Sequence, residues 1–328
     1  MYRTFIVSSL LALSLAASPV FAQSQPPAAP APQHTPNVPA ASSVPQEVRF
    51  PPVEASNFTA AAPTKAEVDA FLKTSWGYDT NRAWEVYSIQ KTIAPGVSKV
   101  MVLVAEKQNP RQIANLTFFV TPDDKHLISQ ESVLDFGPRP YENNYRILQQ
   151  RATGPSRGAT GKQFELVEFA DFECPHCKDA QPVVEKLLQD FPQAHYVFET
   201  FPLVNIHPEA FKAAAFGECV EQQGGNDAFF KYATAIFAAQ NELAGQDANQ
   251  ALRNAVTAAG ADPDKVAACA ASPTGKNPVE ATLRLGQELN VDETPTLFID
   301  GRAVPMLAVP YEQLKKIIDY QFSLDKAQ

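Results

Sequence analysis

Cysteine is scarce in this sequence: four residues in 328, at Cys174, Cys177, Cys219 and Cys269. Only the first two are close together. A structural zinc site asks for a second closely spaced pair or a histidine at ligand spacing. Neither accompanies Cys219 or Cys269, so the cysteines do not read as metal ligands. Covalent haem attachment asks for histidine directly after a Cys-x-x-Cys pair, and here Lys178 stands there. Positive charge is also short, with 27 Lys and Arg against 36 Asp and Glu. No basic stripe is evident, which argues against nucleic acid or an anionic membrane as partner. Beyond the N-terminal leader, no apolar run approaches the roughly 20 residues of a membrane-spanning helix.

That leader has the layout of a signal peptide. Arg3 supplies the positive start, Phe5 to Ala17 form an apolar stretch broken by serines, and Val20-Phe21-Ala22 end at a cleavage-type position. No cysteine follows the apolar stretch, which argues against a lipid anchor. Residues 1–22 are therefore read as removed after Ala22, and the protein as exported, periplasmic or extracellular, where disulfides persist. Without them Lys and Arg number 26 (27 − 1) against 36 acids, a net charge of −10.

Residues 23–55 are rich in Pro, Ala, Gln and Ser and lack apolar periodicity, the composition of a disordered linker. Periodicity returns over 56–150. Thr64 and Glu67 stand at capping-box spacing, followed by Val68, Phe71 and Leu72 on one helical face. The runs 83–92, 99–106, 114–120 and 126–133 alternate or are β-branched, with turns at Ala94-Pro95-Gly96 and Thr121-Pro122-Asp123-Asp124. A small α+β domain is expected: one helix on an antiparallel sheet, closed by a helical connector over 141–150. It shows no nucleophile, metal cluster or phosphate loop, and Lys125 and His126 read as solvated turn residues. Its expected task is binding, either to clients or to a second copy of the chain, making a homodimer through 56–150.

Residues 151–328 alternate strand and helix. A strand over 163–169 precedes a helix to about 190. There Ala180, Val183, Val184, Leu187, Leu188 and Phe191 form one apolar stripe, with Pro182 placed to kink it. A strand follows over 195–201. From about 208 to 289 the sequence is Ala-rich and poor in strand signals, reading as inserted helices. Thr294 to Gly301 read as a strand entering a hairpin, and a final helix carries Tyr311, Leu314, Ile317, Ile318 and Phe322.

Cys174-Pro175-His176-Cys177 sits between the first strand and the first helix of this region. A thiolate at Cys174 there meets free backbone N–H groups and the positive end of the helix dipole. Stabilising the thiolate makes the disulfide a stronger oxidant. Pro175 suits the first helical position, and His176, if protonated, adds a favourable charge or merely caps the helix. Cys174 is thus the attackable sulfur, expected to be exposed, and Cys177 the resolving thiol one turn inward. Glu168 has two readings: a buried carboxylate that exchanges a proton with Cys177, or a strand-end residue turned to solvent. Cys219 and Cys269 flank the inserted helices and are expected to form a structural disulfide, with a second redox relay as the alternative.

The element order and the run Phe169-Ala170-Asp171-Phe172-Glu173-Cys174-Pro175-His176-Cys177 resemble the DsbA-like family of exported thiol–disulfide oxidoreductases. That resemblance implies a thioredoxin fold with a helical insertion, α/β in class, preceded here by the small α+β domain. It implies that Glu168 holds the position of a buried acid, that Pro182 is the kinking proline, and that Thr294-Pro295 form a cis-proline loop over the active disulfide. Phe201-Pro202-Leu203 with His207-Pro208 also resemble a family segment, though His207 itself reads as a plain helix-start residue. Thr294 departs from the valine of the best-known DsbA type and is shared with isomerase-like relatives. An N-terminal domain on a helical connector is similar to the dimeric DsbC and DsbG isomerases. The resemblance implies reduced or unfolded exported proteins as clients, a re-oxidising or reducing partner, and no cofactor beyond the Cys174–Cys177 disulfide. Oxidation of client dithiols, disulfide isomerisation or reduction, and redox-linked chaperoning are the three functions that stay open.

Overall fold

The computed structural model describes residues 47–130 and 132–326. The signal-peptide reading of 1–22 and most of the 23–55 linker lie outside the described residues.

The capping box at Thr64 closes in both directions. Its hydroxyl accepts from the Glu67 N–H, and the Glu67 carboxylate accepts from the Thr64 N–H at 2.7 Å, which starts α1 (Lys65–Trp76). Five strands follow as an antiparallel meander in chain order: β1 (Arg82–Lys91), β2 (Ser98–Glu106), β3 (Asn109–Val120), β4 (His126–Ser129) and β5 (Ser132–Asp135). Gly96 makes the β1–β2 turn at φ +77, where a Cβ would stand 2.8 Å from the Pro122 ring. Val68 and Leu72 of α1 pack on Val86, Val100, Val102 and Phe118 to form the core of this unit. The run 126–133 reads as one strand but folds as a hairpin. Gln130, at φ +54, turns the chain so that Ile128 and Val133 become cross-strand neighbours.

The second core begins earlier than its sequence boundary. Helix α2 (Glu142–Arg151), read as a connector belonging to the N-terminal domain, packs Leu148 and Ala152 beside it onto Val167, Phe169, Val197 and Phe298. Its apolar side needs a sheet to cover it, and the nearest is the second one. That sheet has the order β10-β9-β7-β8-β6, built from β6 (Ser156–Gly158), β7 (Glu165–Ala170), β8 (His195–Thr200), β9 (Thr296–Ile299) and β10 (Arg302–Pro305). β7 and β8 run parallel; the other pairs are antiparallel. Every residue of β7 is buried, because alternate side chains enter different layers. Leu166 and Ala170 join the layer of α3 (Pro175–Asp190) and α9 (Tyr311–Lys326), while Val167 and Phe169 join that of α2 and α8 (Pro273–Glu288). Between β8 and β9 lie α4 (Ala210–Ala238), α5 (Gln240–Leu243), α6 (Ala248–Ala258), α7 (Pro263–Ala271) and α8. Gly225 interrupts α4 at φ +71, dividing one long element into two helical arms.

The two cores are docked through the C-terminal end of α1. Its last carbonyls reach beyond the helix for further partners, Lys73 O also accepting from the N–H of the cap residue Gly77 at 2.8 Å. Tyr320 Oη donates to Lys73 O at 2.6 Å and Arg302 to Ser75 O at 2.9 Å. The Arg302 guanidinium also lies 4.9 Å from the Tyr78 ring and 5.3 Å from the Tyr141 ring.

Candidate active site

β7 delivers the chain to Asp171 and α3 takes it away from Cys174. The stretch from Asp171 to Cys174 is held by buried polar contacts. Asp171 is fully buried: its carboxylate accepts from the N–H groups of Glu173 at 2.8 Å and Leu203 at 2.7 Å, and His207 Nδ1 lies 2.8 Å away. Glu173 accepts from the Glu209 N–H at 2.6 Å. These bonds tie the motif to the segment 203–209, which carries exposed Val204 and Ile206. Phe172 belongs to the aromatic part of the core. It points into the insertion, stacked on Phe198 at 5.5 Å and edge-on to Tyr232. Gln240 of α5 donates from one nitrogen to Phe172 O at 2.9 Å and to Cys174 O at 2.8 Å. The inserted helices thereby grip the backbone of the motif.

Cys174 is the N-cap of α3 and Pro175 its first residue. Cys174 is not exposed as its position suggests: only 5 % of it is accessible. The loop at the cis peptide Thr294–Pro295 covers it, and Sγ donates to Thr294 O at 3.4 Å. Both motif cysteines are free thiols here, and their surroundings pull them apart electrostatically. The Cys177 side chain, the Thr294 side chain and the N–H groups of Cys177 and His176 hold the Cys174 thiol down to about 5, against the opposing effect of burial. Burial pushes the Cys177 thiol well above the ordinary cysteine range. The Cys174 sulfur and the Glu168 carboxylate push the same way, and the Asp171 N–H at 3.3 Å from Cys177 Sγ opposes them. His176 contributes its backbone N–H; its side chain is exposed, with Pro175 beside it.

The solvent-facing reading of Glu168 is overturned: the residue has no accessible surface. It alternates into the α3 layer, where Tyr196 Oη donates to its Oε2. Burial raises its carboxyl to about 7, although the Tyr196 hydroxyl and the Arg157 charge pull it down. The plain reading of His207 is also replaced, since it partners Asp171 at the motif. Cys219 and Cys269 are bridged, with Cα atoms 6.0 Å apart, joining α4 to α7 inside the insertion. Asp171, Tyr196, Gln240 and Arg157 carried no signal as site residues. Only Asp171 lies near the motif in sequence; the others come from strands and helices that the fold brings to it.

Residues 150–320, just over half of the chain, match the family model described as Thioredoxin. The chain belongs to the thioredoxin family. Its fold is the thioredoxin fold with a helical insertion, preceded by a small α+β unit. Among curated proteins, this thioredoxin-family chain is 33 % identical over 146 residues to Na(+)/H(+) antiporter NhaA 3 of Salinispora tropica, covering 44 % of the chain and 21 % of the antiporter. It therefore spans about a fifth of the length of the antiporters it matches. It is 23 % identical over 168 residues to Disulfide bond formation protein D of Bacillus subtilis, covering 50 % of the chain and 75 % of that protein. Among solved structures, a periplasmic thioredoxin-like protein of Salmonella enterica serovar Typhimurium is similar at 22 % identity and a TM-score of 0.46, covering 55 % of this chain and 97 % of that one. Oxidised BdbD of Bacillus subtilis is similar at 21 % identity and a TM-score of 0.46, covering 52 % and 93 %.

Proposed function

We propose that this chain is an exported protein thiol–disulfide oxidoreductase whose Cys174–Cys177 pair oxidises the dithiols of reduced or unfolded exported proteins. The observation that carries this reading is the opposite displacement of two thiols in one motif, Cys174 down to about 5 and Cys177 upward. A low-pKa sulfur is a good leaving group, and a stabilised reduced state makes its disulfide oxidising.

In the oxidising direction a client thiolate attacks Cys174 Sγ of the disulfide. The Cys174–Cys177 bond breaks, and Cys177 leaves with the electron pair and takes a proton from Glu168. A second client thiolate then attacks the client sulfur of the mixed disulfide, and Cys174 departs as a thiolate. Two electrons pass from client to enzyme, and a separate redox partner must remove them. Thr294, whose carbonyl meets Cys174, would offer backbone contacts to an extended client. The Cys219–Cys269 bridge and the signal-peptide reading support an oxidising compartment, periplasmic or extracellular. The Bacillus subtilis relative is named for disulfide bond formation, which agrees with this direction. The antiporter likeness covers too little of those proteins to carry transport over. No helix among the described residues is long and apolar enough to cross a membrane.

The test mixes the purified disulfide form with a reduced two-cysteine peptide. One equivalent of peptide disulfide should form as free thiols emerge at Cys174 and Cys177; no transfer would sink the proposal. A second reading, isomerisation by a dimer, draws on Thr294 and on the open edge strand β5, where Val133 is 62 % and Leu134 50 % exposed. A protein that sediments as a dimer and reactivates a scrambled substrate supports this reading, and a monomer that only oxidises supports the first.

A further inference from the structure

Tyr196 is one of the largest side chains with almost no accessible surface, and it presents its hydroxyl to Glu168, the carboxylate that bears on Cys177. A phenol in such a place needs a partner. Its partner is Glu168 Oε2, while Oε1 of the same carboxylate is buried with no hydrogen-bond partner. An unpartnered oxygen in an apolar layer is costly, which leaves it a strong acceptor for a proton. The remaining surroundings are sparse. β9 sets Leu297 opposite Glu168 in register, β6 brings Arg157, and α3 brings Cys177. The Arg157 guanidinium lies 5.4 Å from the Tyr196 ring centre and 4.5 Å from that of Phe230. It holds the ring from behind and pairs with Glu185 at 2.6 Å.

We propose that Tyr196 is the positioning residue for proton exchange between Glu168 and Cys177: its hydroxyl fixes one carboxylate oxygen and leaves the other for the Cys177 proton. This rests on the oxidoreductase reading above. When a mixed disulfide at Cys174 is resolved, Cys177–SH passes its proton to the Glu168 carboxylate. The Cys177 thiolate then attacks Cys174 Sγ, the Cys174–Cys177 bond forms, and the bound thiol leaves with the electron pair. In the reverse direction Glu168 returns the proton. Tyr196 keeps its own proton throughout and stabilises the carboxylate form. Losing that donor leaves Glu168 protonated to higher pH, and a hydrogen bond to a charged group is strong enough to move such a midpoint by about one to two pH units.

The test loads Cys174 with glutathione as a mixed disulfide and follows glutathione release against pH. In Tyr196→Phe the midpoint should move to higher pH by about one unit or more, with release about tenfold slower at pH 6 and unchanged at high pH. Glu168→Gln should remove this ionisation from the profile altogether. If Tyr196→Phe overlays the wild type while Glu168→Gln does not, the role of Tyr196 is overturned and the reading of Glu168 stands. If Glu168→Gln overlays it too, the reading of Glu168 falls and the proposal with it. If Tyr196→Phe does not fold, replacement of tyrosine by 3-fluorotyrosine, a stronger donor of nearly equal size, should move the midpoint to lower pH. An unmoved midpoint there overturns the proposal.

Discussion

Cys174→Ser should reduce dithiol oxidation to the uncatalysed level, whereas Cys177→Ser, offered a client disulfide, should stay covalently attached to it through Cys174. The asymmetry follows from the two positions. Cys174 caps α3 at the covering Thr294–Pro295 loop, and its thiolate is stabilised. Cys177 is closed inside the core with a thiol raised by burial, so it acts only on a disulfide already formed at Cys174. Without Cys177 there is no intramolecular thiol to release the client. Non-reducing electrophoresis of the two variants reads this directly. Complexes that accumulate with Cys174→Ser instead would reverse the assignment.

Replacing both Cys219 and Cys269 by Ser should cost stability and spare activity. The bridge spans a sequence separation of 50. Chain-entropy reasoning assigns a loop of about that length roughly 4 kcal/mol. Cys219 is fully buried, and a Cβ at Gly275 would stand 2.7 Å from its sulfur, so the bridge is packed into the contact between α4 and α8. The expected result is a markedly lower urea midpoint, with a slope that rises as the unbridged denatured chain exposes more surface, and near-normal turnover of a dithiol peptide. Lost turnover at full stability would instead point to a second redox relay.

How much of this was legible beforehand depends on the range over which each signal acts. The capping box, the motif, Pro182 and the order of strands are local patterns, and local patterns survive in one dimension. Cys174 looked exposed because a helix start is usually open; the resemblance set the Thr294 loop, 120 residues further on, over the disulfide without saying how closely it covers the sulfur. Glu168 stayed undecided because a carboxylate between two apolar neighbours on a strand can face water or a second layer. Its direction was fixed only when both sides of β7 proved to be covered. Gln240, Tyr196 and Arg157 were invisible for the same reason: each acts across the fold, from α5, β8 and β6. Helix α2 was misplaced because its apolar stripe does not say which sheet it will meet.

The central claim is that Cys174 is a stabilised thiolate, and the most direct measurement is its titration in the reduced protein. Ultraviolet absorbance of the thiolate should be followed from pH 3 to pH 9, with mapped alkylation at each point. The predicted midpoint is about 5. At pH 6 Cys174 should be mostly ionised, whereas an ordinary cysteine with a pKa of about 8.5 is ionised to only roughly 0.3 %. A less basic thiolate is also intrinsically slower, by roughly fortyfold at a Brønsted slope of about 0.45, so the midpoint is a sharper readout than the labelling rate. The sign of the linked effect is fixed by the lowered pKa. The reduced form is favoured over the disulfide fully above the ordinary cysteine value, and that advantage is lost as pH falls through about 5. A single midpoint near pH 5 with Cys174 labelled first is the predicted result; a midpoint at or above pH 8, or labelling that begins at Cys177, would contradict it.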